Sequence, residues 1–264
     1  MKKMIFLLLI LGVACSVVPL TGRKQFTVIP VEQMLSLSAD SYSQVLKDTK
    51  ASTNQRYVTS VRNVGQHLTA AVQQYMKQNG LESSIQGYQW QYNVLISNEL
   101  NAWCMPGGQI AFYEGIMPVC QDDNGVAVVM GHEIAHAVAK HGNERMSEQL
   151  VVQMGGVALS EALKTKKETT QQLAMLAFGV GSNLGVMLPF SRTHESEADE
   201  LGLYFMAMAG YDPRTAPAFW ERMLAQGSAR VPEFLSTHPD PANRIKDLQK
   251  HMPKAMEYYQ ANKK

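Results

Sequence analysis

The stretch GVAVVMGHEIAHAVAKHGNERM, residues Gly125–Met146, places two histidines four residues apart, with a glutamate directly after the first. On an α-helix, residues four apart lie about 40° from each other around the axis, so His132 and His136 share one face. Glu133 lies about 100° round from His132, too far to bind the same ion but close enough to reach a water on it. The stretch therefore predicts a helix that carries a metal site.

The pattern His-Glu-x-x-His is typical of zinc peptidases, in which zinc lowers the pKa of a bound water to about 7 and the glutamate takes the proton. Three polar residues could also share a helix by chance. The flanks VAVVM and IAHAVA are apolar nearly all round, which predicts a buried helix, and buried histidine and glutamate need partners. A zinc ion supplies one, so we favour the zinc site.

A catalytic zinc usually has three protein ligands and one open position, so a third ligand must lie elsewhere in the chain. The segment HESEAD carries Glu195 and Asp199 four residues apart, hence on one helix face. One carboxylate can bind zinc while the other accepts a hydrogen bond from a ligand histidine and sets its tautomer. The residues alone leave open which carboxylate does which.

Other polar residues near these two motifs are expected to have lesser roles. His141 lies about 140° round from His136, so we expect it to point away and to interact with the dipole at the helix C-terminus. Glu197 and Glu200 are expected to form a solvated acidic face. His194 is expected to be a neighbour of the site rather than a ligand.

The 264 residues are 45% hydrophobic and 18% charged, with a net charge of +1, which indicates a globular protein and excludes a disordered one. No basic excess points to nucleic acid. Apolar spacings predict an α+β fold, a mainly helical domain with a small sheet or hairpin beside the active-site helix. The predicted parts are a single domain at 16–264 with N-terminal helices at 31–80, a small sheet at 88–115, the active-site helix at 122–142 and a third-ligand helix at 191–210.

Residues 147–188 are rich in methionine, glycine and alanine. We predict core helices, because Ser182 and Asn183 interrupt the apolar run before it reaches the length of a membrane span. The alternative is a membrane-embedded protease that uses residues 155–188 as spans.

The opening residues MKKMIFLLLILGVAC have two lysines, a short apolar run and small residues before a cysteine, as in a secretory signal peptide. We predict removal of this segment and lipidation of Cys15, with plain secretion as the alternative. Cys104 and Cys120 could then form a disulfide in an oxidising compartment or remain free buried thiols.

The two segments GHEIAHAVAKHGNERM and SRTHESEADELGL together resemble the gluzincin peptidases of the HtpX, LoiP and BepA type, which are related to the CAAX prenyl proteases. The resemblance covers nearly the whole mature chain and includes PLTGRKQF, NELNAWCMPGGQIAFYEGIM and STHPDPANRI. It implies one zinc ion per chain with three ligands, His132, His136 and Glu195. It also implies Glu133 as general base and Asp199 as the residue that orients a ligand histidine.

Within this family, the sequence is most similar to the compact, exported LoiP-like form. We expect no tetratricopeptide-repeat tail after the domain and no pair of spanning helices. Trp103 and Cys104 stand in the hairpin where the family often has other apolar residues, which leaves the substrate preference open.

The strand expected around Leu100–Met105 precedes the active-site helix and could add an extended peptide at its edge. We predict that Asn101 and Ala102 lie near the substrate backbone, with an ordinary core strand as the alternative.

The late segment THPDPANR offers His238 and Arg244 as groups that could stabilise the tetrahedral intermediate. His238 could instead occupy the open zinc position and keep the enzyme latent, as the resemblance to BepA suggests. The third possibility is loop packing, with Arg244 paired to Asp240 or Asp247.

The predicted protein is an exported zinc endopeptidase at the periplasmic side of a bacterial envelope, attached to the outer membrane through a lipid on Cys15. Hydrolysis is predicted from the residues, whereas degradation of unfolded or misassembled envelope proteins is implied by the resemblance. The alternative is a zinc-stabilised chaperone or assembly factor that does not cut. Glu133 argues against it, because structural zinc needs no base.

Overall fold

The computed structural model describes residues 15–183, 187–226, 233–238 and 241–263. The predicted signal peptide lies outside them, except for Cys15, whose backbone begins the first strand. Within the described residues, helices pack against a small three-stranded sheet, which confirms the predicted α+β fold.

The chain starts with two short strands and two long helices, β1 (Cys15–Val17), β2 (Lys24–Phe26), α1 (Val31–Asp48) and α2 (Gln55–Gln78). The sheet and a short helix follow, with β3 (Gln91–Leu95), β4 (Ala102–Met105), β5 (Gln109–Tyr113) and α3 (Met117–Cys120). The later helices are α4 (Asp123–Val138), α5 (His141–Leu163), α6 (Glu168–Ser182), α7 (Leu188–Met208), α8 (Ala216–Ala225), α9 (Glu233–Thr237) and α10 (Pro241–Asn262).

The central strand of the sheet is β5, which is parallel to β3 and antiparallel to β4. The turn between β4 and β5 contains Gly107 and Gly108 with φ of 101° and 90°, a region that glycine adopts without steric cost. Among the described residues, β4 pairs with β5 alone, so it is an outer strand, and it packs beside α4.

The core lies between α2, α4, α7 and the sheet. Nearly every residue of α4 is buried, as its apolar flanks predict. The largest fully buried side chains of the core include Trp220, Phe112 and Phe205. Burial of a side chain such as Phe112 contributes about 1.5–3 kcal/mol to the stability of the fold.

Two glycines bring α4 and α7 into direct backbone contact. A Cβ atom on Gly131 would lie 2.7 Å from the Gly202 carbonyl oxygen, and one on Gly202 would lie 2.7 Å from the His132 nitrogen. Any side chain would force the helices apart, so the contact depends on glycine at both positions. It places the turn of α4 that contains His132 against the turns of α7 that contain Glu195 and Asp199.

The active-site helix α4 is shorter than predicted. The Asp122 side chain caps its start by accepting a hydrogen bond from the Gly125 N–H at 3.0 Å. The helix ends at Val138 rather than at residue 142, because Lys140 adopts a left-handed conformation with φ of 58°. Gly142, the last residue of the predicted helix, lies inside α5.

The prediction that residues 147–188 form core helices is wrong, since none of residues 149–182 is buried. The pair of α5 and α6 packs small residues such as Gly155 against Phe178. Larger apolar side chains turn to solvent instead, and Val157 is 71% exposed. No helix among the described residues has the length and apolar character needed to cross a bilayer.

Candidate metal centre

Four side chains from three parts of the chain converge at the junction of α4 and α7. His132 and His136 come from α4, Glu195 from α7, and His238 from the residue after α9, with one potential ligand atom of each lying within 4.8 Å of the others. The Nε2 atoms of His132 and His136 are 3.1 Å apart. These two atoms lie 3.3 Å and 3.4 Å, respectively, from the carboxylate oxygens of Glu195.

These side chains fit a zinc ion. Tetrahedral bonds of about 2.0–2.1 Å place neighbouring ligand atoms about 3.3–3.4 Å apart. The observed separations among His132, His136 and Glu195 are 3.1–3.4 Å. Imidazole and carboxylate are also donors that zinc accepts. The structure thus brings together the three residues predicted as ligands, in a spacing that can hold one metal ion.

His238 lies where a fourth ligand would be. Its Nδ1 atom is 3.2 Å from His132 Nε2 and 3.1 Å from a Glu195 oxygen. Its other nitrogen, Nε2, is 3.4 Å from the Glu133 carboxylate. Of the three possibilities for His238, this geometry favours the one in which the residue occupies the open zinc position.

The carboxylate of Glu133 is buried beside the ligand cluster, as the predicted general base should be. Its Oε1 atom has no hydrogen-bond partner among the described residues. Burial raises the pKa of Glu133, against the lowering effects of His238, His132 and the Cys104 backbone N–H. A carboxylate with a raised pKa is a better proton acceptor at neutral pH.

Asp199 and Arg244 form hydrogen bonds that hold the predicted ligand residues in place. The Nδ1 atom of His132 lies 2.9 Å from Asp199, which leaves Nε2 for the metal. Arg244 donates to Asp199 at 2.6 Å and to Glu195 at 2.8 Å, and its guanidinium lies 4.0 Å from the centre of the Trp220 ring.

The predicted pairing of Arg244 with Asp247 is wrong, because the guanidinium is directed at the two carboxylates of α7. Asp240, the other predicted partner, lies outside the described residues. A role of Arg244 in stabilising the tetrahedral intermediate stays a prediction.

The expectations for His141 and Glu197 are wrong. Because the left-handed Lys140 turns the chain, His141 points back and its Nδ1 lies 2.8 Å from Nδ1 of His136. Its Nε2 lies 2.9 Å from Glu197, which is buried and not solvated. Arg23 donates to Glu197 at 2.8 Å. The contacts of Glu197 join residues far apart in the chain, and the contact between His136 and His141 depends on the left-handed turn at Lys140, so no local sequence pattern predicts them.

A second group, made of Glu144, Glu148 and His194, also has ligand atoms close enough for a metal ion. Here Arg23 donates to both oxygens of Glu144, at 3.0 Å and 2.7 Å. The guanidinium therefore already supplies a positive charge to the Glu144 carboxylate, and we do not assign a metal to this group.

Asn101 and Ala102 lie at the start of the outer strand β4. The Tyr113 N–H donates to the Asn101 carbonyl at 3.1 Å, so in an antiparallel pair Ala102 and Cys104 turn their backbone groups to the other edge. The Ala102 N–H on that edge bonds to the Asn101 side chain at 2.9 Å. The strand thus has an outward edge beside the metal centre, and contact of Asn101 and Ala102 with substrate stays a prediction.

Of the two possibilities for the cysteines, the structure shows free thiols. Cys104 and Cys120 are not bridged to each other. Burial raises the pKa of both thiols, which keeps them protonated and unreactive.

The sequence matches the profile of Peptidase family M48 over residues 66–252. It is 29% identical over 240 residues to the mitochondrial metalloendopeptidase OMA1 of Schizosaccharomyces pombe, which covers 90% of this chain and 66% of that protein. The OMA1 metalloendopeptidase of Bos taurus is 31% identical over 250 residues, covering 90% and 46%. The beta-barrel assembly-enhancing protease of Escherichia coli is 31% identical over 160 residues, covering 58% and 32%.

The chain thus spans between about a third and two thirds of the length of these relatives. The family match covers both α4 and α7, and with them every residue of the predicted three-ligand site. The resemblance seen in the sequence is confirmed at the level of the family: this chain belongs to Peptidase family M48.

Proposed function

We propose that this chain is a zinc-dependent metalloendopeptidase. The observation that carries the proposal is the convergence of His132, His136 and Glu195 around one point, with the buried Glu133 carboxylate beside it. When bound, zinc supplies Lewis-acid chemistry, lowering the pKa of a water to about 7 and polarising a peptide carbonyl.

The chain's own residues would perform the proton transfers. Glu133 would take the proton from the attacking water and deliver it to the leaving amine, and burial, which raises its pKa, suits both steps. Asp199 would keep the His132 proton on Nδ1, so that Nε2 faces the metal. Arg244 would hold Asp199 and Glu195 in place.

The proposed substrates are unfolded or misassembled proteins of the cell envelope. An extended peptide could pair with the outward edge of β4 and displace the Asn101 side chain from the Ala102 N–H. An extended, unfolded chain offers free backbone groups for this pairing, whereas a helix does not. The name of the E. coli relative supports an envelope role, while the OMA1 relatives are named for mitochondria. Attachment at the periplasmic side through a lipid on Cys15 is part of the proposal.

We also propose that the structure represents a latent form. The Phe234 N–H donates to the Leu100 carbonyl at 3.1 Å, so α9 is bonded to the chain two residues before β4. His238 follows directly after α9 and lies at the fourth ligand position. One short segment therefore lies beside the entrance to the peptide-binding edge and also takes the place where substrate would meet the metal.

A second candidate function is favoured by the same observation. Four protein ligands are typical of structural zinc, so His238 would also suit a chaperone or assembly factor that binds zinc and does not cut. The two candidates differ in what happens when His238 is removed.

The test uses a soluble form that begins after Cys15 and measures zinc content and cleavage of reduced, unfolded casein. We expect zinc binding and cleavage from wild type, zinc binding without cleavage from Glu133→Gln, and faster cleavage from His238→Ala. Glu168→Gln, on the exposed helix α6, is the matched control and should behave as wild type. Zinc binding without cleavage by both wild type and His238→Ala would favour the chaperone. Absence of zinc binding would overturn both candidates.

A further inference from the structure

We propose that His141 and Glu197 form a hydrogen-bonded relay that sets the tautomer of the metal ligand His136, with Arg23 anchoring the far end. The inference rests on the proposed zinc site and adds positioning residues to it. The relay has two links, His136 Nδ1 to His141 Nδ1 at 2.8 Å and His141 Nε2 to Glu197 at 2.9 Å. All three side chains lie on α4, α5 and α7, the helices that meet at the metal centre.

The positions of the protons along this relay follow from which groups can donate a hydrogen bond and which can only accept one. A carboxylate can only accept, so Glu197 requires His141 to carry its proton on Nε2. The Nδ1 atom of neutral His141 is then an acceptor, and the short contact requires His136 to donate from its own Nδ1. His136 is left with a lone pair on Nε2, the atom that lies in the ligand cluster.

The surroundings of His141 favour this arrangement. The ring is fully buried, and burial disfavours the charged imidazolium relative to the neutral ring with a single proton. His194 stacks on it with ring centres 4.4 Å apart and planes inclined by 16°, which holds the ring orientation. The two nitrogen atoms of the ring, which face His136 and Glu197, are thus held in place.

Glu197 is in turn held by the segment between β1 and β2. Arg23 donates from Nε to Glu197 at 2.8 Å, and the Thr21 hydroxyl donates to its other oxygen. Arg23 also bonds to Glu144 at the start of α5. The relay therefore ties a segment near the start of the mature chain to one metal ligand. The two ligand histidines differ in their support, since His132 contacts its carboxylate, Asp199, directly.

The test measures the zinc dissociation constant of the full chain by competition with a chelating dye. Outer partners of ligand histidines are typically worth about 10–100-fold in metal affinity, and we expect His141→Ala to weaken zinc binding by this factor. His141→Asn can place its Oδ1 near the acceptor position of Nδ1 and should restore most of the loss. His251→Ala removes an imidazole outside the relay, one that bonds to the Tyr204 hydroxyl at 3.1 Å, and it should keep the affinity of wild type.

A second readout is the imidazole nitrogen NMR spectrum of the zinc-loaded protein, which reports the tautomers directly. We expect protons on Nδ1 of His136 and on Nε2 of His141. The relay is overturned if His141 carries its proton on Nδ1, if His141→Ala binds zinc as wild type does, or if His141→Asn or His251→Ala loses as much affinity as His141→Ala. None of these measurements depends on peptide cleavage. They therefore test the relay separately from the proposed function: the relay could be absent from an active enzyme or present in a protein that does not cut.

Discussion

The replacement Arg244→Met tests whether the guanidinium behind the metal centre stabilises the fold. Arg244 is 2% exposed and bonds to both Asp199 and Glu195. Removing one partner from a buried ion pair typically costs about 3–5 kcal/mol, because the other charge is left buried without compensation. Methionine has a side chain of similar length but no guanidinium, so the loss should reflect the charge, the hydrogen bonds and the contact of the guanidinium with the Trp220 ring. We expect the metal-free protein to lose about 3–5 kcal/mol of unfolding free energy.

The assay is urea unfolding followed by far-ultraviolet circular dichroism, which does not depend on the fluorescence of the neighbouring Trp220. The matched control is Arg214→Met, whose guanidinium is also 2.6 Å from an aspartate oxygen, that of Asp212, but lies at the surface. An exposed pair is screened by water, so the control should hardly change stability. Equal losses of unfolding free energy in the two variants would show that the contribution of the Arg244 ion pairs does not depend on their burial.

Bound zinc should reduce the loss in Arg244→Met, because the metal would compensate the charge of Glu195. The same unfolding series with excess zinc measures this difference. A loss that is unchanged by zinc would refute the view that metal and guanidinium share the same carboxylate.

Three further predictions concern other parts of the molecule. Gly202→Ala places a methyl group 2.7 Å from the His132 nitrogen, and this overpacking should lower the free energy of unfolding by about 1–3 kcal/mol. The variant should also bind zinc more weakly, and urea unfolding and dye competition measure the two effects. Burial alone would raise the pKa of Glu144, but His194 and Arg23 lower it to about 2. This carboxylate therefore stabilises the fold above its unfolded pKa of about 4.5, and the contribution is lost as the pH falls towards 2, so an acid titration of Arg23→Met should show a smaller loss than wild type. Val157→Ser, on the exposed face of α5, should change stability by less than about 0.5 kcal/mol, and a larger loss in the same urea assay would show that this face is covered.

The ligand residues could be predicted from the sequence because their geometry is local. His132 and His136 lie one turn apart on one helix, and so do Glu195 and Asp199, so helical periodicity alone presents each pair on a single face. Helical periodicity could not predict which of the two carboxylates faces the metal. It depends on how α7 lies against α4, and there Glu195 points to the ligand cluster while Asp199 contacts His132 Nδ1.

The errors have a common physical origin. The apolar residues of α5 and α6 were expected to be buried because of their composition, but composition does not say whether another element covers a helix face. His141 was placed by continuing the geometry of α4, and the single left-handed residue Lys140 redirects the chain before it.

The sequence by itself determined where the main helices around the site lie and which of their residues share a face, including the proposed metal ligands and general base, since these depend on spacing along one helix. Only the tertiary structure decided what supports them. The backbone contact at Gly131 and Gly202, the relay from His136 to Glu197 and the position of His238 all join distant segments. Such contacts depend on how whole elements pack, which no local pattern of residues encodes.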